Sequence, residues 1–182
     1  MSIPSLAMQR IRRTSRTMVW VCMAIIVLLP IALVDYWATA SAVDLAVYGN
    51  LPTSALQAPL LAWQRVAAAV VTAVPLAMLL LGVWQVKSCF EQFAQGSVFT
   101  AQATAHLRRF AGWVAAAALA AIVAGTVVSV LLTLNNAPGM RHIALGISSN
   151  HVFTLFFAAL VWVMADVISQ GQALAEENER FI

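Results

Sequence analysis

The sequence predicts an all-α integral membrane protein, a four-helix transmembrane bundle with both ends on the cytoplasmic side, on three observations. Of its 182 residues, 62% are hydrophobic and only 9% are charged, whereas a soluble domain carries roughly 25% charged residues. The apolar residues gather into four runs, over 18–38, 60–86, 110–134 and 152–168, each near the ~20 residues that an α-helix needs to cross a ~30 Å hydrocarbon core. The basic residues are distributed unevenly between the segments that join these runs.

The runs must be helical because an unpaired backbone N–H or C=O is prohibitively costly in lipid, and the alternation expected of barrel strands is absent. Run one contains Pro30 and, near its end, Asp35; Pro75 lies in run two. Each proline removes a backbone hydrogen bond and crowds the preceding turn, so both predict local kinks. Orientation follows from Arg10, Arg12, Arg13 and Arg16 before run one and Lys87, Arg108 and Arg109 between runs two and three. The connection over 39–59 has no basic residue and that over 135–151 has only Arg141. Positive residues stay inside, which places the amino terminus, the middle connection and the carboxyl tail in the cytoplasm. The same rule accounts for the net charge of +3 without a nucleic-acid partner. The reading is a single integral domain, 1–182, in the bacterial inner membrane. A competing reading takes Ala38-Thr39-Ala40-Ser41-Ala42 as the cleavage site of a secretory signal, but the apolar run exceeds the usual ~7–15 residues of such a signal. Cys22 and Cys89 are too far apart to read as a motif and are expected to be free thiols.

Small residues recur every four positions in run three, as Ala117, Ala121, Gly125 and Ser129 beside Gly112, Ala116, Ala120 and Ala124, and in run two as Ala69, Ala73 and Ala77. Such stripes allow close backbone approach, on which helix association in lipid depends; an alanine-rich composition is the plain alternative. Trp20, Tyr36, Trp37, Trp63, Trp84 and Trp113 fall near run ends and fit an interfacial aromatic belt. Trp162 lies deeper.

The segment between runs two and three carries the clearest local signals. Phe90, Phe93 and Ala94 continue a helical spacing past the apolar run, Gly96 suits a left-handed stop, and Thr100 suits the cap of a new helix through His106, Leu107, Arg108 and Arg109. Two long helices joined by a cytoplasmic elbow are expected, with Phe99 as the apolar plug. Helix four is expected to continue past Gly171 into the acidic tail, on helix propensity. Helices two, three and four thus extend into the cytoplasm. The Gly96-x-x-Phe99-Thr100 pattern followed by Leu107-Arg108, and the ending Gly171-x-x-Leu174-x-Glu176-Glu177-Asn178-Glu179, resemble the bacterial membrane family catalogued as domain of unknown function 2975. The family's usual ending, an acidic pair followed by Leu-Thr and an aliphatic residue, is replaced here by Arg180-Phe181-Ile182. The resemblance implies a four-helix membrane protein, often encoded beside a small helix-turn-helix regulator, and no known activity.

Ionisable residues within a membrane are the default functional candidates. Asp35 and Arg65 lie at similar depths near the outer ends of runs one and two, which makes an ion pair geometrically feasible; solitary snorkelling of Arg65 is the alternative. Asp166 sits about 20 Å from the outer start of run four at 1.5 Å per residue, level with Lys87 and Arg109 as candidate partners. Acids or histidines at intermediate depths, needed for a proton relay, are missing. His106, His142 and His151 all fall outside the apolar runs, where they serve no haem, and two histidines in one loop make a weak metal signal. No P-loop, GxGxxG or GxSxG pattern occurs. The sequence therefore points to no catalytic, cofactor or metal site and not to an enzyme. Its leading reading is a non-enzymatic protein-contact or regulatory accessory, with the lipid bilayer, a homo-oligomer and a cytoplasmic regulator or membrane complex as candidate partners. The alternative is a small transporter or channel subunit formed by oligomerisation.

Overall fold

The computed structural model describes residues 6–55, 60–95, 100–137 and 139–179. Five α-helices occur among them: α1 (Leu6–Thr39), α2 (Ala42–Tyr48), α3 (Ala62–Gln95), α4 (Ala101–Thr133) and α5 (Ser149–Glu179). Four of these are long and apolar enough to cross a membrane, consistent with a four-span helical bundle. With 34, 34, 33 and 31 residues, they are about 46–51 Å long at 1.5 Å per residue, well beyond the ~30 Å of a hydrocarbon core. The surplus lies where the sequence placed it on α3, α4 and α5. It also lies on α1, whose first twelve residues were not expected to be helical; Leu, Ala, Met, Gln and Arg dominate there, all good helix formers. Pro30 and Pro75 sit inside α1 and α3 without ending either helix.

Exposed apolar side chains show what these helices face. On α5, Phe153, Phe156, Phe157, Val163 and Val167 are all more than half exposed. An apolar patch of this extent is not tolerated in water and marks a surface that meets lipid or protein. The chain is a multi-span membrane protein.

By internal packing the chain divides into two compact units, one of residues 1–27, 79–115 and 155–182, the other of 28–78 and 116–154. In the first unit α3 and α4 approach closely at Gly82, where an added Cβ would stand 3.2 Å from that of Trp113. Gly112 faces the Trp162 ring on α5 in the same way, at 3.4 Å. Cys22 and Cys89 are buried free thiols.

The second unit has the aromatic core. Trp37, Leu45, Ala46, Ala68, Val128 and Leu132 are buried together. Trp37 does not join an interfacial belt, as its position at a run end had suggested: it is only 3% exposed, its Nε1–H donates to the Thr72 hydroxyl at 2.9 Å, and Tyr36 and Tyr48 meet its ring edge-on at 5.9 and 5.8 Å. A buried indole needs such a partner for its N–H. Trp20, Trp63 and Trp84 do stay exposed. Gly125, assigned by spacing to a packing stripe, has no atom within 4 Å of an added Cβ, so its small size is not used for close approach.

Between α1 and α3 lies α2, in a segment for which the sequence suggested no helix. It begins with a capping box: the Asp44 amide donates to Ser41 Oγ at 3.3 Å and the Ser41 amide donates to Asp44 Oδ2 at 3.0 Å. Ser-x-x-Asp is a version of the Ser/Thr-x-x-acid signature and was the overlooked signal. Gly49 ends the helix and Asn50 takes a left-handed φ of 51°. The segment that resembles a signal-cleavage site is this α1–α2 junction, with Ala40 buried.

Hydrogen bonds from the Ser41 hydroxyl and, secondarily, the Ser41 amide hold the Asp44 carboxyl below its ordinary value. Because the folded pKa is depressed, the cap stabilises α2 above the ordinary carboxylate pKa of about 3.9 and is lost as pH falls through the depressed value. Amide protection factors over 42–48 are expected to be constant near neutrality and to fall on acidification below about pH 4, and Asp44→Asn is expected to lower them at neutral pH and remove that acid transition. Hydrogen exchange measured against pH checks both.

Candidate functional site

The charged residues singled out by the sequence find partners other than those expected. Asp35 and Arg65 do not pair. Arg65 Nη1 donates to the carbonyls of Trp37 and Ala38 at 3.3 and 3.5 Å. These carbonyls lie in the last turn of α1, where backbone oxygens lack intrahelical donors and the helix dipole is negative, so Arg65 caps that helix. Asp35 is exposed, with its backbone carbonyl accepting from Thr39 Oγ1 at 2.8 Å.

In the first unit Asp166 pairs with Arg108 at 3.5 Å, not with Lys87 or Arg109. The reason is helical phase. Thr104, Arg108 and Gly112 recur every four residues on one face of α4, and each meets α5: Thr104 Oγ1 lies 3.5 Å from Gln172 Oε1, Arg108 lies over the Trp162 ring at 5.1 Å, and Gly112 packs on that same ring. Trp162 and Asp166 are themselves four apart, so one guanidinium engages both. His106, Phe110 and Trp113 form a different face, directed at α3, with His106 Nδ1 2.7 Å from Gln85 Oε1. Arg109 lies off the α5-facing stripe and is exposed. Lys87 bonds Glu91 on its own helix at 2.6 Å and sits over the Trp84 ring at 4.9 Å.

Of the elbow residues, Gly96 and Phe99 lie outside the described residues. Thr100 Oγ1 accepts the Ala103 amide at 3.2 Å and thereby caps α4, while also donating to Gln92 Oε1 at 3.2 Å. Leu107 is half-buried. Arg12 Nη2 donates to the Gln95 carbonyl at 3.4 Å. Gln172 Nε2 is buried without a hydrogen-bond partner among the described residues.

The second unit holds a buried polar network that sequence reasoning missed. Gln64, 1% exposed, donates through Nε2 to the Leu131 carbonyl at 2.7 Å and accepts at Oε1 from the Leu61 amide and Asn135 Nδ2 at 2.9 and 3.2 Å. Asn136 Nδ2 donates to the carbonyls of Ala55 and Met140 at 2.6 and 3.1 Å. Ser129 and Thr133, both fully buried, hold the non-helical segment 141–148 along α4: Thr133 Oγ1 accepts the His142 amide at 3.3 Å and Ser129 Oγ accepts the Ala144 amide at 3.1 Å. Each turn back along α4 therefore meets two residues further along the segment, in the manner of an extended strand. The alternate side chains Ile143, Leu145 and Ile147 are about three-quarters exposed, at 75%, 78% and 69%. The signal for this arrangement was present as polar residues at the end of an apolar run followed by an apolar, alternating loop.

Beside this segment is a cleft of about 360 Å³ lined by Tyr48, Asn50, Gly125, Gly146, Ser148 and His151. A methyl group at Gly146 would overlap the Asn50 side-chain amide. His151 Nδ1 accepts the Ser148 amide at 3.2 Å, a role that leaves a neutral ring's proton on Nε2. Among the described residues no group of three His, Cys, Asp or Glu side chains is placed to hold a metal ion.

Fold and site together define a multi-span helical membrane protein in which several buried polar side chains bind the chain's own backbone. The chain belongs to the family described as protein of unknown function, DUF2975, which matches residues 50–182. No curated protein and no solved structure matches it.

Replacing Ser129 by Ala or Thr133 by Val is expected to leave the Ala144 or His142 amide without its acceptor, at a cost of about 1–3 kcal/mol each. A lower thermal midpoint in detergent, with faster hydrogen exchange concentrated at 141–148, is the expected result; uniform acceleration along α4 would contradict it.

Proposed function

We propose that the chain is a non-enzymatic accessory of a bacterial cytoplasmic membrane, a single integral domain with both ends inside, acting through protein contacts at the polar end of its first unit. The observation that carries this reading is the segregation of charge. Arg10, Arg12, Arg13, Arg16, Lys87, Arg108 and Arg109 all belong to the first unit, and only Arg65 and Arg141 belong to the second. Cytoplasmic flanks collect basic residues, which supports the first unit as the cytoplasmic end. There Arg108 is held by Trp162 and Asp166 while its side chain stays 56% exposed, a pre-positioned cation available to a partner. Arg109, on a neighbouring face, is exposed as well.

A second reading, a small transporter or channel subunit completed by oligomerisation, is favoured by the polar cleft beside non-helical backbone, since transporter sites use unwound backbone in this way. Flux into liposomes reconstituted with the purified protein discriminates between the two.

Two measurements test the first reading. In a background with Cys22 and Cys89 replaced by Ser, an impermeant maleimide is expected to label Arg141→Cys on intact spheroplasts and Gln102→Cys only after lysis; the reverse pattern overturns the orientation. A photo-crosslinker at Arg109 in native membranes is expected to capture a second protein species that the same group at lipid-exposed Val123 does not. Identical adducts at the two positions, or self-adducts alone, overturn the contact role.

A further inference from the structure

We propose that the groove between α1 and α3 in the second unit is a binding site for one glycerophospholipid, with an acyl chain along the groove and the phosphate on Arg65. The groove has a volume of about 520 Å³, inside the roughly 300–1,000 Å³ range of small-molecule sites. Its floor is formed where α3 presents the small side chains Ala69 and Ala73, and its rims by Val34, Val66 and Val70. Those valines are 69%, 63% and 63% exposed.

Three features select the occupant. The first is length: the groove runs along α3 from Ala62 to Ala73, about 16 Å at 1.5 Å per residue. That equals the depth of one leaflet, half of the ~30 Å hydrocarbon core, and Ala73 is the midpoint of the apolar run 60–86. A membrane-crossing helix from a second copy of the chain would need a seam twice as long. The second is level. Trp63, 47% exposed beside the groove's upper end, is the residue type that settles among headgroups, so the groove opens where a phosphate lies.

The third is charge. Arg65 is half-buried at the groove's upper end and forms no salt bridge among the described residues. Only Nη1 is engaged, by the α1 carbonyls, which fixes the guanidinium in place while Nη2 and Nε have no hydrogen-bond partner among the described residues. A planar fork of free donors matches phosphate oxygens bidentately. The zwitterionic or anionic headgroup supplies the countercharge that Asp35 does not.

Native mass spectrometry of the delipidated full chain, titrated with dioleoyl phosphatidylglycerol, tests the site. Wild type is expected to show one adduct that saturates before the others. Val66→Trp, which fills the groove from an exposed position, and Arg65→Gln, which removes a charge-assisted hydrogen bond, are each expected to weaken that adduct by about tenfold or more. Arg65→Lys is expected to retain part of it, and Val123→Trp, on lipid-exposed α4 surface, all of it. Circular dichroism melting of each variant identifies any loss caused by unfolding, and Val66→Trp, which keeps the Arg65 guanidinium that caps α1, reads the groove even if Arg65→Gln destabilises the chain. The proposal is overturned if Val66→Trp and Val123→Trp bind alike, if inorganic phosphate displaces the lipid, or if wild type forms a dimer that Val66→Trp dissociates without changing lipid binding.

Discussion

A non-helical stretch of chain survives beside α4 because two hydroxyl groups meet its backbone. Where water is absent, each unpaired N–H or C=O costs several kcal/mol, and irregular backbone is stable only when protein groups satisfy it. Ser129 and Thr133 do this for the amides of Ala144 and His142. Gln64 does it for the Leu131 carbonyl at the end of α4, Asn136 for the Ala55 carbonyl, and Arg65 for the last turn of α1. Much of the buried polar capacity of the second unit goes to these backbone groups. Once the connections are tied down, α2 can be held at its box of Ser41 and Asp44 and Trp37 can be buried against Thr72.

In the first unit the organising constraint is the phase of α4. A helix repeats every 3.6 residues, so positions three or four apart share a face. Thr104, Arg108 and Gly112 look toward α5, and His106, Phe110 and Trp113 look toward α3. The choice of Arg108 over Arg109 as the partner of Asp166 is one consequence. Another is that Gly82, opposite the Trp113 Cβ and the Phe110 ring, and Gly112, opposite the Trp162 indole, admit bulky aromatic residues between helices.

This distribution of polar groups bears on function. Among the described residues, the buried Gln64, Ser129, Thr133 and Asn136 of the second unit bond backbone or each other's neighbours, whereas Gln172 Nε2 of the first unit has no partner. At surfaces stand the exposed Arg108 and Arg109 of the first unit, and the free donors of Arg65 at the mouth of an apolar groove. These are the groups on which the proposed contacts with a protein and with a phospholipid rest.

The number of long apolar helices was legible in the sequence, since a run of about 20 apolar residues in lipid has no alternative to the helix. The extension of α3 and α4 beyond the apolar runs was legible from Phe90, Phe93 and the Thr100 cap, which are local signals. Asp35, Arg65 and Asp166 were recognisable as charges out of place, but their partners were not, because pairing depends on helix azimuth and on which carbonyls a neighbouring helix leaves open. Trp37 could not be told from an interfacial residue for the same reason: depth follows from position along a helix, whereas burial follows from the face. The alternation over 141–148 stood in the sequence, but which groups Gln64, Ser129 and Thr133 would meet was decided by tertiary structure, through hydrogen bonds between residues as far apart as Gln64 and Leu131 that no local pattern encodes.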